Sequence, residues 1–180
     1  SKGVDPKQVT RREMEEFKLA VSKILTPYAT AILLDPEFGL PAVRARSKHA
    51  GVLLAYEKTG YDQDKPGRLP DLLDHESVAR LKEKGADAIK ILLYYVPDEK
   101  KEINDHKHAW VERIGAECAA NDIPFFLELV GYDPTGGDEK NLDYAKRKPR
   151  RVGDSMQEFS KPRYHVDILK VEVPVNMAFV

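Results

Sequence analysis

The sequence predicts an α/β protein built on a parallel sheet, and three observations carry that prediction. Short apolar runs with strand character recur five times along the chain. Helical patterns fill the intervals between consecutive runs, and such alternation calls for parallel strands joined by helices. The pattern continues from one end of the chain to the other, with no repeat, low-complexity segment or shift in composition to mark a domain boundary. Two architectures satisfy these facts: an open doubly wound sheet, or part of a TIM (β/α)₈ barrel.

The first element is a helix. Thr10 followed by Glu13 fits a capping box. Met14, Phe17, Ala20, Val21, Ile24 and Leu25 then recur at helical spacing, and Pro27 ends the pattern. Thr30 to Leu34 reads as a buried strand closed by Asp35 and Pro36. Pro41 to Ala50 reads as a basic helix. Gly51 to Tyr56 is the second strand. The polar stretch from Glu57 to Leu69 contains Gly60, Pro66 and Gly67. A structureless loop of that length is usually functional.

Asp74 to Lys84 reads as a helix stopped by Gly85, and Ala88 to Tyr95 as the third strand. A helix from about Glu102 to Ala120 gathers Ile103, Trp110, Val111, Ile114 and Cys118 on one face. Pro124 to Val130 is the fourth strand, and Gly131 to Lys140 a turn-rich loop. Leu142 to Phe159 is helical with a break expected at Pro149, since proline removes a backbone donor. Val166 to Val173 is the fifth strand, stopped by Pro174.

Composition narrows the function. Lys plus Arg is 29 against 30 for Asp plus Glu, a net charge of -1, which argues against a general nucleic-acid binder. No apolar run approaches the length of a transmembrane helix, and Ser1 to Thr10 lacks the apolar stretch of a secretory signal. The single cysteine, Cys118, fits a reducing cytoplasm. The expectation is a cytoplasmic protein with no nucleic-acid or membrane partner. In a barrel-type helix, the basic run Lys146 to Arg151 is expected to be solvated surface.

Charge within strands is the informative feature. Strands covered on both faces should be continuously apolar, yet Lys90 interrupts the third, Glu128 the fourth, and Lys170 with Glu172 the fifth. Burying a charge is costly unless it is paired. Alternation places Lys90 on a face with Leu92 and Tyr94, Glu128 with Phe126, and Lys170 with Ile168 and Glu172. In a barrel these side chains could converge at the carboxyl-end mouth, where barrel active sites are built.

Two lysines near a glutamate suit Schiff-base chemistry. The attacking amine must be neutral, and burial beside a second cation favours the neutral form. A carboxyl group can then move the protons that dehydration and carbon–carbon cleavage require. A structural ion pair is the competing reading of the same residues.

The chain closely resembles the class I tagatose 1,6-bisphosphate aldolases. The matching segments are LTPYATAILLDPEFGLPA (25–42), LLAYEKTGYD (53–62), GADAIKILLYY (85–95), DIPFFLE (122–128) and DILKVEVPVN (167–176). They follow the family's order across essentially the whole chain. The resemblance implies a (β/α)₈ barrel and a Schiff-base aldolase that needs no metal or other cofactor. It implies cleavage of D-tagatose 1,6-bisphosphate to dihydroxyacetone phosphate and glyceraldehyde 3-phosphate. It assigns the Schiff-base lysine to Lys170, the acid–base carboxylate to Glu128 and the assisting lysine to Lys90. It leaves room for a homo-oligomer.

The sequence departs from the family in extent. A complete barrel takes about 250 residues, and five strands are legible here. The family's first strand, with its Asp-Gln-Arg segment, and its last two strands, with the main phosphate groups, are not found. Residues 1–180 are therefore expected to form a single, incomplete barrel domain from the middle of a longer protein, with two open sheet edges. Alternatives are an aldolase of the same family acting on a sulfonated ketose 1-phosphate, a non-catalytic barrel fragment that binds or assembles, and a metal-dependent class II aldolase.

Other residues carry weaker signals. Glu57, Lys58, Arg68 and Asp71 lie in a loop that could touch a phosphorylated sugar or simply be solvated. Asp35 is either a site wall or a cap. The five histidines form no metal set, since His106 and His108 point to different sides of a helix and the rest are scattered. No dinucleotide fingerprint or P-loop is present.

Overall fold

A computed structural model describes residues 8–61 and 65–179. Its helices are α1 (Arg11–Leu25), α2 (Leu40–Ala45), α3 (Val78–Glu83), α4 (Lys101–Ala120) and α5 (Leu142–Phe159). Its strands are β1 (Ala31–Leu34), β2 (Gly51–Ala55), β3 (Ala88–Tyr94), β4 (Phe125–Val130) and β5 (Ile168–Val171).

The five strands pair in parallel, in chain order β1-β2-β3-β4-β5. A doubly wound sheet reverses its direction of growth partway through. This sheet never reverses, so the choice falls on part of a (β/α)₈ barrel.

One set of alternate strand residues makes the fold. Val52, Leu54, Ile89, Ile91, Leu93, Phe125 and Leu127 are wholly buried on the helix-covered face. They pack with Val78 and Leu81 of α3, Val111 and Ile114 of α4, and Phe159 of α5. Each such side chain contributes about 1.5–3 kcal/mol when taken from water. Cys118 lies in this core, as its helical stripe predicts. The close seating of the segment before β5 against α4 depends on Gly115. A Cβ there would lie 1.9 Å from the Tyr164 carbonyl oxygen. Beside that contact, Tyr95, Phe159 and Tyr164 pack with centroids 4.9 Å apart in successive pairs.

Element ends depart from expectation for local reasons. The Thr10–Glu13 capping box forms and starts α1. Its apolar stripe is less covered than its spacing predicts: Phe17 and Ile24 are each 65% exposed. α1 instead meets α2 through Ser22, whose hydroxyl donates to Ala42 O at 3.0 Å. α2 stops at Ala45 because the chain turns back there. The Ser47 amide donates to Thr26 Oγ1 at 2.8 Å, and Arg46 donates to Val43 O and Ala50 O. α3 begins at Val78, capped by Ser77 Oγ accepting from Arg80 N.

α5 runs unbroken through Pro149. Pro149 is exposed, so the carbonyl it leaves unpaired can face water. Buried Tyr144, Arg151, Ser155 and Phe159 hold the helix on either side of it. The basic run is correspondingly less solvated than expected. Arg151 is buried, with Nε donating to Asp98 Oδ2 at 2.8 Å. Asp35 acts as a cap: its Oδ1 accepts from Phe38 N at 2.7 Å, and it pairs with Lys18.

Candidate active site

The other set of alternate residues forms the inner face. Register places Ala55, Lys90, Phe126 and Ile168 on one level. Leu92, Glu128 and Lys170 stand on the next level toward the carboxyl ends. Glu57 lies two residues past Ala55, the partner of Lys90, and so falls level with Leu92. A lysine stem is long enough to carry its ammonium from one level into the next.

The charged groups of these two levels meet. Lys90 Nζ donates to Glu57 Oε1 at 2.6 Å and lies 3.0 Å from Glu128 Oε2. Glu128 Oε1 accepts from Lys170 Nζ. Glu128 thus bridges the two lysines with its two oxygens. The lysine environments differ: the Lys90 side chain is 8% exposed and that of Lys170 is 62% exposed. All three residues singled out from the sequence come together.

The two carboxylates are tuned in opposite directions. Burial pushes Glu128 up, but hydrogen bonds from Lys170 and Lys90 outweigh it and hold the carboxyl below its usual range. Burial also pushes Glu57 up, and there it prevails over the opposing attraction of Lys90. Glu57 Oε2 is buried without a hydrogen-bond partner among the described residues.

Glu172 departs from the expected grouping. β5 ends at Val171, and the Glu172 carboxylate accepts from Gly131 N at 2.7 Å and Lys148 Nζ at 3.0 Å. It ties the end of β5 to β4 and α5 instead of joining Lys170. Glu57 is the site residue that strand reading missed. Continuing the alternation Leu53, Ala55, Glu57 past the apolar run would have found it.

The described residues of the loop after β2 reach back to the carboxyl ends of the strands. Tyr61 Oη accepts from Tyr94 N and donates to Leu92 O. Arg68 stacks on the rings of Tyr94 and Tyr132, at 5.1 and 4.7 Å from their centroids, and pairs with Glu139 at 3.0 Å. Lys58 turns outward to Asp71 and Asp74. Residue 62, the end of one matching segment, lies outside the described residues. Among the described residues, no three His, Cys, Asp or Glu side chains are grouped to hold a metal ion. No described helix is long and apolar enough to cross a membrane.

An all-parallel sheet in sequential order, carrying a lysine–carboxylate cluster on its inner face, is the arrangement of part of a TIM-type barrel. The chain matches the DeoC/LacD family aldolase over residues 2–178 and belongs to that family. It is 65% identical over 171 residues to tagatose 1,6-diphosphate aldolase 2 of Enterococcus faecalis, covering 95% of this chain and 52% of that one. Tagatose 1,6-diphosphate aldolase of Listeria monocytogenes is 59% identical over 170 residues, covering 94% of this chain and 50% of the relative. The enzyme of that name from Staphylococcus haemolyticus is 58% identical over 171 residues, covering 95% and 53%. The chain spans about half the length of the curated relatives it matches. Among solved structures, Corynebacterium glutamicum Cgl0159 superposes with a TM-score of 0.58 at 17% identity, over 83% of this chain and 48% of that one. That likeness concerns the fold.

Proposed function

We propose that this chain carries the Schiff-base centre of a class I aldolase that cleaves D-tagatose 1,6-bisphosphate. The observation that carries the reading is the bridging of Lys170 and Lys90 by the two oxygens of Glu128 on the inner face. The relatives' shared name supplies the substrate. On this reading residues 1–180 are one incomplete barrel domain, and the open edges at β1 and β5 are covered in the whole protein. The protein acts in the cytoplasm.

On this reading the cluster's own groups carry each proton of the reaction. Lys170 passes a proton to Glu128, and the neutral amine attacks the C2 carbonyl to give a carbinolamine. Glu128 returns a proton to the departing hydroxyl, water leaves, and a protonated imine forms. Glu128, a carboxylate again, takes the C4 hydroxyl proton and, as the C4 carbonyl forms, the C3–C4 bond breaks. Its electron pair flows into the iminium, giving an enamine and glyceraldehyde 3-phosphate. Protonation of the enamine at C3 and hydrolysis of the imine release dihydroxyacetone phosphate and restore Lys170. The iminium is the electron sink, and Lys90 supplies a fixed positive charge beside the reacting oxygens.

Trapping tests the reading. The protein is incubated with dihydroxyacetone phosphate and sodium borohydride, then analysed by intact mass and peptide mapping. A single reduced adduct on Lys170, lost in Lys170→Ala, is expected. A folded protein that forms no adduct would falsify the proposal, and an adduct on Lys90 alone would reverse the lysine roles.

A further inference from the structure

The cluster has two lysines, and either could in principle be the nucleophile. The structure treats them unequally. Lys90 has two carboxylate partners, Glu57 at 2.6 Å and Glu128 at 3.0 Å, and is almost wholly enclosed. Lys170 shares one of those carboxylates and stands largely open. Glu57 makes the difference, and it belongs to neither strand that carries the amine or the acid.

We propose that Glu57 is a positioning residue that holds Lys90 as the permanent cation of the site and so leaves Lys170 as the amine that surrenders its proton. The inference rests on the Schiff-base reading above and extends it by naming what selects the nucleophile.

Three observations support the role. First, Glu57 reaches Lys90 by continuing the inner-face alternation of β2 beyond the strand's end, which places it level with Leu92 and Glu128. Second, the arrangement is costly for a merely structural contact. Glu57 is about nine-tenths buried, and its Oε2 lacks a partner among the described residues. A buried ion pair is a poor way to stabilise a fold, since desolvation offsets the attraction. Third, the proton count works only with a second anion. If Glu128 accepts the proton of Lys170 it becomes neutral, and Lys90 would then face no ionised partner. Glu57, with Oε1 2.6 Å from Lys90 Nζ, is the second carboxylate placed to supply one.

Among the described residues, the surroundings of Lys90 offer no substitute anion. β4 contributes Glu128, already committed to Lys170. β3 contributes Tyr94, which lies beneath the cationic Arg68. Lys170 of β5 bears on Lys90 as a like charge. Removing the charge of Glu57 therefore makes Lys90 easier to deprotonate, and a neutral Lys90 competes as a nucleophile.

The test uses the full-length natural gene product and its Glu57→Gln variant, trapped with dihydroxyacetone phosphate and borohydride across a pH series. In the unaltered protein the adduct maps to Lys170. In Glu57→Gln the ratio of Lys90 to Lys170 adduct rises about tenfold or more, the change in neutral fraction that one pKa unit makes. The pH dependence of trapping shifts with it. A purely structural role would lower the Lys170 yield without moving adduct to Lys90. Adduct confined to Lys170 with an unchanged pH profile overturns the inference while leaving the aldolase reading intact. No adduct in the unaltered protein overturns the aldolase reading, and this inference with it. Should Glu57→Gln not fold, Glu57→Asp, which keeps the charge but draws it back from Lys90, is trapped in the same way. Adduct appearing on Lys90 is expected, and adduct confined to Lys170 with an unchanged pH profile overturns the inference.

Discussion

The two faces of the sheet divide the work of the same strands. On the helix-covered face, Ile89, Ile91 and Leu93 of β3 are wholly buried among apolar neighbours. On the inner face, the alternate residues of that strand include Lys90, which is paired with Glu57 and Glu128. β4 repeats the division with Phe125, Leu127 and Leu129 outside and Glu128 inside. Period-two geometry lets one strand carry two unrelated demands without compromise. One set of positions is held by packing and the other by charge balance.

That division can be broken experimentally. The largest effect belongs to the inner face. Glu128→Gln is expected to lower turnover by roughly 10²–10⁴-fold, the usual worth of a general acid–base group. Its unfolding free energy should stay close to that of the unaltered protein. Steady-state kinetics beside denaturant unfolding checks both, and comparable losses in both would blur the division. The complementary change is Ile91→Ala, which empties a fully buried site and is expected to cost about 2–5 kcal/mol. Its trapped adduct, measured well below the unfolding midpoint, should still map to Lys170.

The smallest effect sharpens the boundary. Lys107 is a buried lysine on the helix side, with Nζ 3.0 Å from Tyr132 Oη and 4.8 Å from the centre of that ring. Burial pushes its amine down to about 8 from 10.5, against the pull of Glu99. Between those values the unfolded chain binds more protons than the folded one, so stability should rise with pH. Below about 8 the full cost of the buried charge is present. Lys107→Met should flatten the rise between about pH 8 and 10.5, measured by urea unfolding at stepped pH. It should leave the site of adduct formation unchanged. An identical slope in the variant would remove Lys107 as its source.

Much of this plan was legible in the sequence because its signals are local. Five apolar runs separated by helical patterns gave a parallel sheet. Lys90, Glu128 and Lys170 stood out because each interrupts a run that should be apolar. Glu57 reads as a loop residue and not as part of the inner face because it follows the apolar run of β2, where a polar residue looks like the start of a loop. Glu172 was misplaced for the converse reason: alternation continues in the sequence after β5 has ended, and the Gly131 amide and Lys148 draw its carboxylate elsewhere. Pro149 misled because the missing donor is a local signal, whereas the burial that keeps α5 whole is tertiary. The stripe of α1 was read correctly as helical, but periodicity says nothing about which surface covers a face.

Sequential strand order also bears on how the chain emerges from the ribosome. At synthesis rates of about 5–20 residues per second, each strand after β1 meets a partner that has already been made, since β2 follows β1 and β5 follows β4. The sheet can therefore grow at one margin as the nascent chain lengthens, without waiting for a distant segment. Glu57, Lys90 and Glu128 are translated before Lys170. Lys170, the proposed nucleophile, is the last of the four to arrive, and it docks on a charge framework whose other members are already made.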